Sequence, residues 1–170
     1  SFEKKVSPFA WIGDRWNRWY HLGRHNSLKG SRKNIRDHYD LSNNLYRLFL
    51  DESMTYSCGV FESDQDSLYQ AQQNKMARMI RKAKIRPTDH VLEIGCGWGG
   101  LAIKAVQETG CRWTGITLSE EQLEFARGKV REAGLQDKIK FKLCDYRHME
   151  GQFDRIFSVE MLEAVGHKYL

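Results

Sequence analysis

The spacing of apolar residues along this chain changes once, at Pro87. Upstream the spacing is helical. Tyr39, Leu41, Leu45, Leu48 and Phe49 form an apolar stripe within residues 35–50, Asp40 or Ser42 is placed to cap it, and 54–61 follows as an irregular aromatic segment. Over 67–84, Leu68, Ala71, Met76, Met79 and Ile80 predict a helix with these residues inward and a basic outer face, ending before Pro87. Downstream, short apolar runs alternate with helical stretches: strand 90–95, helix 99–109, strand 112–118, a long helix after Ser119, strand 139–144 and a fourth strand 153–161. Ser119 followed by Gln122 has the S-x-x-Q form of a capping box. This β-α-β-α-β-β order predicts an α/β fold: a doubly wound, Rossmann-like parallel sheet with right-handed crossovers and a ligand crevice at the carboxyl ends of its strands.

The first of these strands runs directly into glycines, as Glu93-Ile94-Gly95-Cys96-Gly97-Trp98-Gly99-Gly100. Such a loop turns sharply and lets backbone approach a ligand, and the helix that follows offers unpaired N–H groups. Gly95, Gly97 and Gly100 fit the G-x-G-x-x-G spacing of dinucleotide-binding proteins. Glu93 with Gly95, Gly97 and Gly99 fits equally the acidic, glycine-alternating loop of S-adenosylmethionine-dependent methyltransferases. Both patterns expect an acid at the end of the second strand to hold ribose hydroxyls. Here that strand ends without a carboxylate before Glu120, so Thr117 and Gln122 are the hydrogen-bonding groups on offer.

Composition narrows the setting. At 170 residues and 41% hydrophobic content the chain suits one moderate core with a helical extension, and no apolar run approaches the roughly 18 to 20 residues that span a bilayer. Cys58, Cys96, Cys111 and Cys144 form no C-x-x-C pair and the six histidines no H-E-x-x-H, so no metal site is expected and reduced thiols fit a cytoplasmic chain. Residues 1–36 hold nine Lys or Arg against Glu3 and Asp14, a surplus of seven that leaves the rest at −2 within the net +5. The same leader carries Trp11, Trp16 and Trp19 beside Arg15 and Arg18, a mixture suited to phospholipid headgroups and equally to packing on a neighbouring domain. No ribonucleoprotein-type aromatic motif is present, so nucleic acid is not expected as a partner. Three segments follow: a basic aromatic leader 1–36, a helical substrate- and cofactor-covering segment 37–86, and a sheet domain 87–170.

Four stretches in order, HYDLSNNLYRLFLDESMTYSCGVF at 38–61, VLEIGCGWGGLA at 91–102, GITLSEEQ at 115–122 and FDRIFSVEMLEAVGH at 153–167, carry a more specific likeness. Together the chain resembles the cyclopropane-fatty-acyl-phospholipid synthases and their mycolic acid cyclopropane synthase relatives, from about Ser31 to its end. SRKNI at 31–35 and LCDYR at 143–147 look most like the plant-type members. The resemblance implies an S-adenosylmethionine-dependent methyltransferase fold and methylene transfer to the cis double bond of a phospholipid acyl chain at a membrane surface. Bound bicarbonate is implied as the base.

Carried over by motif, the resemblance places Tyr56 and Ser57 at the cofactor's amino-acid portion, Glu93, Gly95 and Gly97 along its path, Thr117, Leu118 and Gln122 around the ribose, and Tyr146 near adenine. It matches Cys58 to a bicarbonate contact made through the backbone and Glu163 to the bicarbonate-site glutamate, with Glu160 as the competing carboxylate in the same run. Taken singly, each has an ordinary structural reading as a loop tyrosine, an inert thiol or a solvated acid. His167 reads as a surface helix residue. The family's sheet has seven strands and the sequence predicts four, so the expectation is a C-terminally incomplete piece of the enzyme; whether a further domain precedes Ser1, as it does in plant-type relatives, the sequence leaves open.

Overall fold

A computed structural model describes residues 43–161 and Val165. The 1–36 leader, Tyr39, Leu41 and the two cap candidates of the first stripe, Glu163 and His167 lie outside the described residues. The elements are α1 (Asn43–Tyr46), α2 (Leu68–Ala83), β1 (His90–Ile94), α3 (Gly100–Thr109), β2 (Arg112–Thr117), α4 (Glu120–Glu132), β3 (Ile139–Leu143) and β4 (Arg155–Ser158), with a 3-10 turn at Tyr146–His148 before the last strand. The four strands are parallel in the order β3-β2-β1-β4. β1, β2 and β3 step in one direction across the sheet, so right-handed crossovers place α3 and α4 on the same face. The burial alternation of β3 agrees: Ile139 and Phe141 are buried, Lys140 and Lys142 exposed.

Sheet register fixes what stands beside the ligand end. Glu93 pairs with Gly115 on one side and Phe157 on the other, and Gly115 pairs in turn with Phe141. A Cβ on Gly115 would come within 2.6 Å of the Phe141 ring and 2.8 Å of the Cys96 Cβ, so a bare α-carbon is what lets the ring lie flat there. The core beneath joins Met76 and Ile80 of α2, Leu101, Ala105 and Val106 of α3, Leu123, Ala126 and Val130 of α4, and Val91, Trp113, Ile139 and Phe141 of the sheet.

Three local expectations change. The stripe at 35–50 is helical only over Asn43–Tyr46 within the described residues. Leu48 is 82% exposed and Phe49 half exposed, because the segment turns around buried Tyr46, whose ring packs on Trp98 at 4.8 Å. In α2, Leu68 is exposed, while Gln72 and Lys75 are buried because they bind the 55–57 loop. The capping box forms by half. Ser119 Oγ accepts from Gln122 N–H at 3.2 Å, but the Ser119 N–H donates to Thr117 Oγ1 at 3.1 Å, and the Gln122 side chain turns to Thr117 instead. The strand boundaries also shorten; β4 ends at Ser158, before Glu160 takes φ +49° and leaves the strand conformation.

Candidate active site

Strand order reverses between β1 and β4, the place where open α/β sheets bind ligands. A cavity of about 460 Å³ opens there. Tyr56, Ser57, Glu93, Gly95, Gly97, Thr117, Leu118, Gln122 and Tyr146 all line it, joined by Lys75, Met76, Trp98, Asp145, Glu160 and others. Cys58 stands exposed beside the cavity, and its backbone is tied to it. Among the described residues no cluster of three or more His, Cys, Asp or Glu gathers as a metal site.

The glycine loop folds back on β2, where Gly95 N–H and Cys96 N–H both donate to Ile116 C=O at 3.0 Å. Gly97 has φ +52°, and nothing lies within 4 Å of where its Cβ would stand. Gly99, at φ +87°, serves packing: a Cβ there would meet Phe141 Cζ at 2.9 Å and Ala126 Cβ at 3.1 Å. One glycine therefore clears ligand space, and the other lets the α3 terminus close on β3 and α4.

Glu93 is the buried acid of the site, 5% exposed, with Trp113 Nε1–H donating to its Oε2 at 3.0 Å. Burial pushes its carboxyl up to about 8, opposed by that single indole donor. At neutral pH the group is therefore mostly a neutral acid, and a cation placed beside it would favour its ionised form.

The 54–58 loop roofs the pocket. Trp98 Nε1–H donates to Asn43 Oδ1 at 2.8 Å, Tyr46 packs between Trp98 and Tyr56 with its ring tilted to one and edge-on to the other, and Met54 turns the chain at φ +53°, so the glycine loop and the roof share one aromatic cluster. From α2, Gln72 Nε2 donates to Ser57 C=O at 2.7 Å and Thr55 C=O at 3.3 Å, and Lys75 Nζ donates to Ser57 Oγ. Burial lowers the Lys75 ammonium, while the nearby Glu160 carboxylate raises it. Cys58 N–H donates to Glu160 Oε1 at 2.9 Å; a hydrogen bond between the Cys58 thiol and the Glu160 carboxylate, followed by the glutamate's charge, pushes the thiol up, so it is not an activated nucleophile. Glu160 holds this pose at φ +49°, a left-handed conformation that costs a non-glycine residue about 1 kcal/mol.

At the far wall, Thr117 Oγ1–H donates to Gln122 Oε1 at 2.9 Å, which commits the threonine proton and leaves the glutamine amide nitrogen for a ligand. Asp145, buried at the end of β3, accepts from Arg147 N–H at 3.0 Å and Nε–H at 2.8 Å, setting the 3-10 turn that carries Tyr146. Sequence reasoning missed Gln72 and Lys75. Their signal was present: both fall on the Ala71–Met76–Met79 side of the helix, and polar groups inside an apolar stripe must be hydrogen-bonded.

The sequence profile described as mycolic acid cyclopropane synthetase matches residues 26–170. The tuberculostearic acid methyltransferase UfaA1 of Mycobacterium tuberculosis is 45% identical over 145 residues, 81% of this chain and 34% of its own. The cyclopropane-fatty-acyl-phospholipid synthase of Escherichia coli K12 is 42% identical over 133 residues, 78% of this chain and 34% of its own. The crystal structure of mycolic acid cyclopropane synthase CmaA1 complexed with SAH and CTAB superposes with a TM-score of 0.77 at 34% identity, covering 81% of this chain and 48% of that one. The chain thus spans about a third of the length of these curated relatives. Its sheet is that of the S-adenosylmethionine-dependent methyltransferases, and by the profile match and these identities the chain belongs to the mycolic acid cyclopropane synthetase family.

Proposed function

We propose that the protein carrying this chain transfers a one-carbon unit from S-adenosylmethionine to the cis double bond of a phospholipid acyl chain, closing a cyclopropane ring. The observation that carries this reading is the cavity at the β1–β4 reversal, where the glycine loop, buried Glu93 and the 54–58 roof meet. Its volume is in the range of pockets that hold cofactor-sized ligands. The open space at Gly97 leaves room for a ligand against backbone, and Glu93 is suited to a ligand whose end is cationic. When bound, S-adenosylmethionine supplies a methyl group on a positively charged sulfur. Glu93 then gains a reason to ionise, Ser57 and Tyr56 cover the amino-acid end, the Gln122 amide meets the ribose and Tyr146 flanks the base. The SAH complex of CmaA1 supports this choice of cofactor.

Bicarbonate does not fit the described geometry. The Cys58 N–H that would hold it already donates to Glu160, and a second anion would face that carboxylate directly. Glu163, expected as the bicarbonate-site glutamate, lies outside the described residues. A phospholipid substrate at the membrane surface is supported by the exposed Leu48, Phe49 and Phe61, with Phe49 lying 6.1 Å from the Tyr56 ring at the pocket. The proposed attachment is peripheral, on the cytoplasmic side; no helix among the described residues is long and apolar enough to cross a membrane.

A second reading, methyl transfer to the same alkene without ring closure, is favoured by the identity to UfaA1, which is named a methyltransferase. The first experiment is calorimetric titration of the full chain with S-adenosylmethionine and, separately, NAD. Selective S-adenosylmethionine binding is expected, and NAD preference would sink the reading. Proton NMR of the product lipid then separates the two reactions, since only the ring gives high-field cyclopropane signals.

A further inference from the structure

Three features of the pocket roof converge on one carboxylate. Glu160 follows β4, bends back at φ +49° and presents Oε1 to the Cys58 N–H at 2.9 Å. Lys75 reaches the same corner from α2, bonded to Ser57 Oγ and electrostatically coupled to Glu160. Gln72, 1% exposed, holds the carbonyls of Thr55 and Ser57, so the irregular 55–58 segment is fixed while it offers the Cys58 N–H. A fixed N–H donor bonded to a carboxylate, with a buried ammonium coupled to that carboxylate at the same corner, makes an anion site that already contains its anion.

We infer that Glu160 is the resident base of this pocket, occupying the place of an external anion beside the Cys58 N–H, with Lys75 as its counter-charge. The inference rests on the reaction proposed above. Once a methyl has been added to one alkene carbon, the neighbouring carbon is left cationic. A C–H bond of the added methyl then breaks, its electron pair forms the closing C–C bond of the ring, and the proton passes to the Glu160 carboxylate and from there to solvent. No further co-reactant is required. The Cys58 N–H orients the carboxylate, and the Lys75 ammonium at the same corner supplies the opposite charge. The left-handed backbone at Glu160 fits this purpose, because an ordinary strand continuation would carry the side chain away from Cys58.

The test uses the full chain with vesicles of cis-unsaturated phospholipid in buffer stripped of carbon dioxide. Wild-type turnover is expected to stay within about twofold when bicarbonate is added back. Glu160→Gln keeps an oxygen for the Cys58 N–H but takes no proton, and turnover should fall by about 100-fold with S-adenosylmethionine affinity within about threefold. Glu160→Gly, which suits φ +49°, empties the anion position, and added bicarbonate should restore part of its activity. A wild-type rate that collapses on carbon dioxide removal, or Glu160→Gln at full rate, would overturn the inference. If Glu160→Gln loses cofactor binding as well, the wild-type bicarbonate response decides alone. Absence of S-adenosylmethionine binding by the wild-type chain would instead overturn the underlying reaction, and this inference with it.

Discussion

Replacing Glu93 by glutamine keeps the shape of the neutral acid and removes its proton equilibrium. In the folded chain the Glu93 carboxyl is held at about 8 by burial, against an ordinary value of 4.5. The folded state therefore binds the proton more tightly than the unfolded state does. The associated stability is fully present below pH 4.5 and is lost as pH rises towards 8, at about 1.4 kcal/mol per unit and about 5 kcal/mol in all. Glu93→Gln carries no such slope. Between pH 5 and 7.5 the variant should gain about 3 kcal/mol on the wild type, even though the Trp113 indole still finds an oxygen to donate to. With a urea slope of about 2 kcal/mol/M, the gap between the two midpoints widens by about 1.5 M over that range. The assay is urea unfolding of both proteins by tryptophan fluorescence at half-unit pH steps. Midpoints that run parallel from pH 5 to 7.5 would show that Glu93 is already ionised in the fold, and that the argument from burial is wrong. A companion measurement follows from the same equilibrium. At pH 7 about 0.9 of Glu93 is protonated, so binding a cationic ligand beside it should release close to one proton, read from binding enthalpies in buffers of different ionisation heat.

Other expectations concern single contacts. Gln72→Leu removes both bonds to the 55–57 carbonyls, and should weaken S-adenosylmethionine binding at least tenfold while lowering stability by about 1–3 kcal/mol, seen by calorimetry and urea unfolding together. Gly97→Ala meets no neighbouring atom, so its folding cost should stay near 1 kcal/mol while its methyl enters the ligand space; unchanged cofactor affinity would contradict the placement. Ser119→Ala removes the cap on α4 and should cost about 1 kcal/mol with little change in affinity, measured as a shift in urea midpoint.

The sheet was legible because its causes are local: β-branched and aromatic runs, glycines at a strand end and a serine cap each leave a short signature. Register was not legible, and with it went the reason for Gly115, whose neighbour Phe141 is 26 residues away in sequence. The pocket's walls followed from motifs, yet its bracing did not. Gln72 and Lys75 share the apolar side of α2, but what they hold is not visible until the 55–57 loop is laid across them. The Leu48 stripe failed for the opposite reason: spacing shows which residues share a face but not whether anything covers it, and one buried ring, Tyr46, redirected the segment. Glu160 appeared in the sequence as one of two carboxylates three apart; only its backbone twist shows why its side chain reaches Cys58.

The contact between Gly115 and Phe141 constrains how sequences of this fold can drift. A side chain at 115 is excluded only while the ring at 141 occupies that space, and shrinking 141 alone leaves a void between β3 and α4. Either single step is disfavoured, whereas the paired exchange of glycine for alanine and phenylalanine for a smaller apolar residue restores the volume. Across diverging descendants these two positions should therefore change together, and a chain carrying alanine at 115 beside an intact phenylalanine at 141 should be found only where Cys96 and the glycine loop have shifted to admit it.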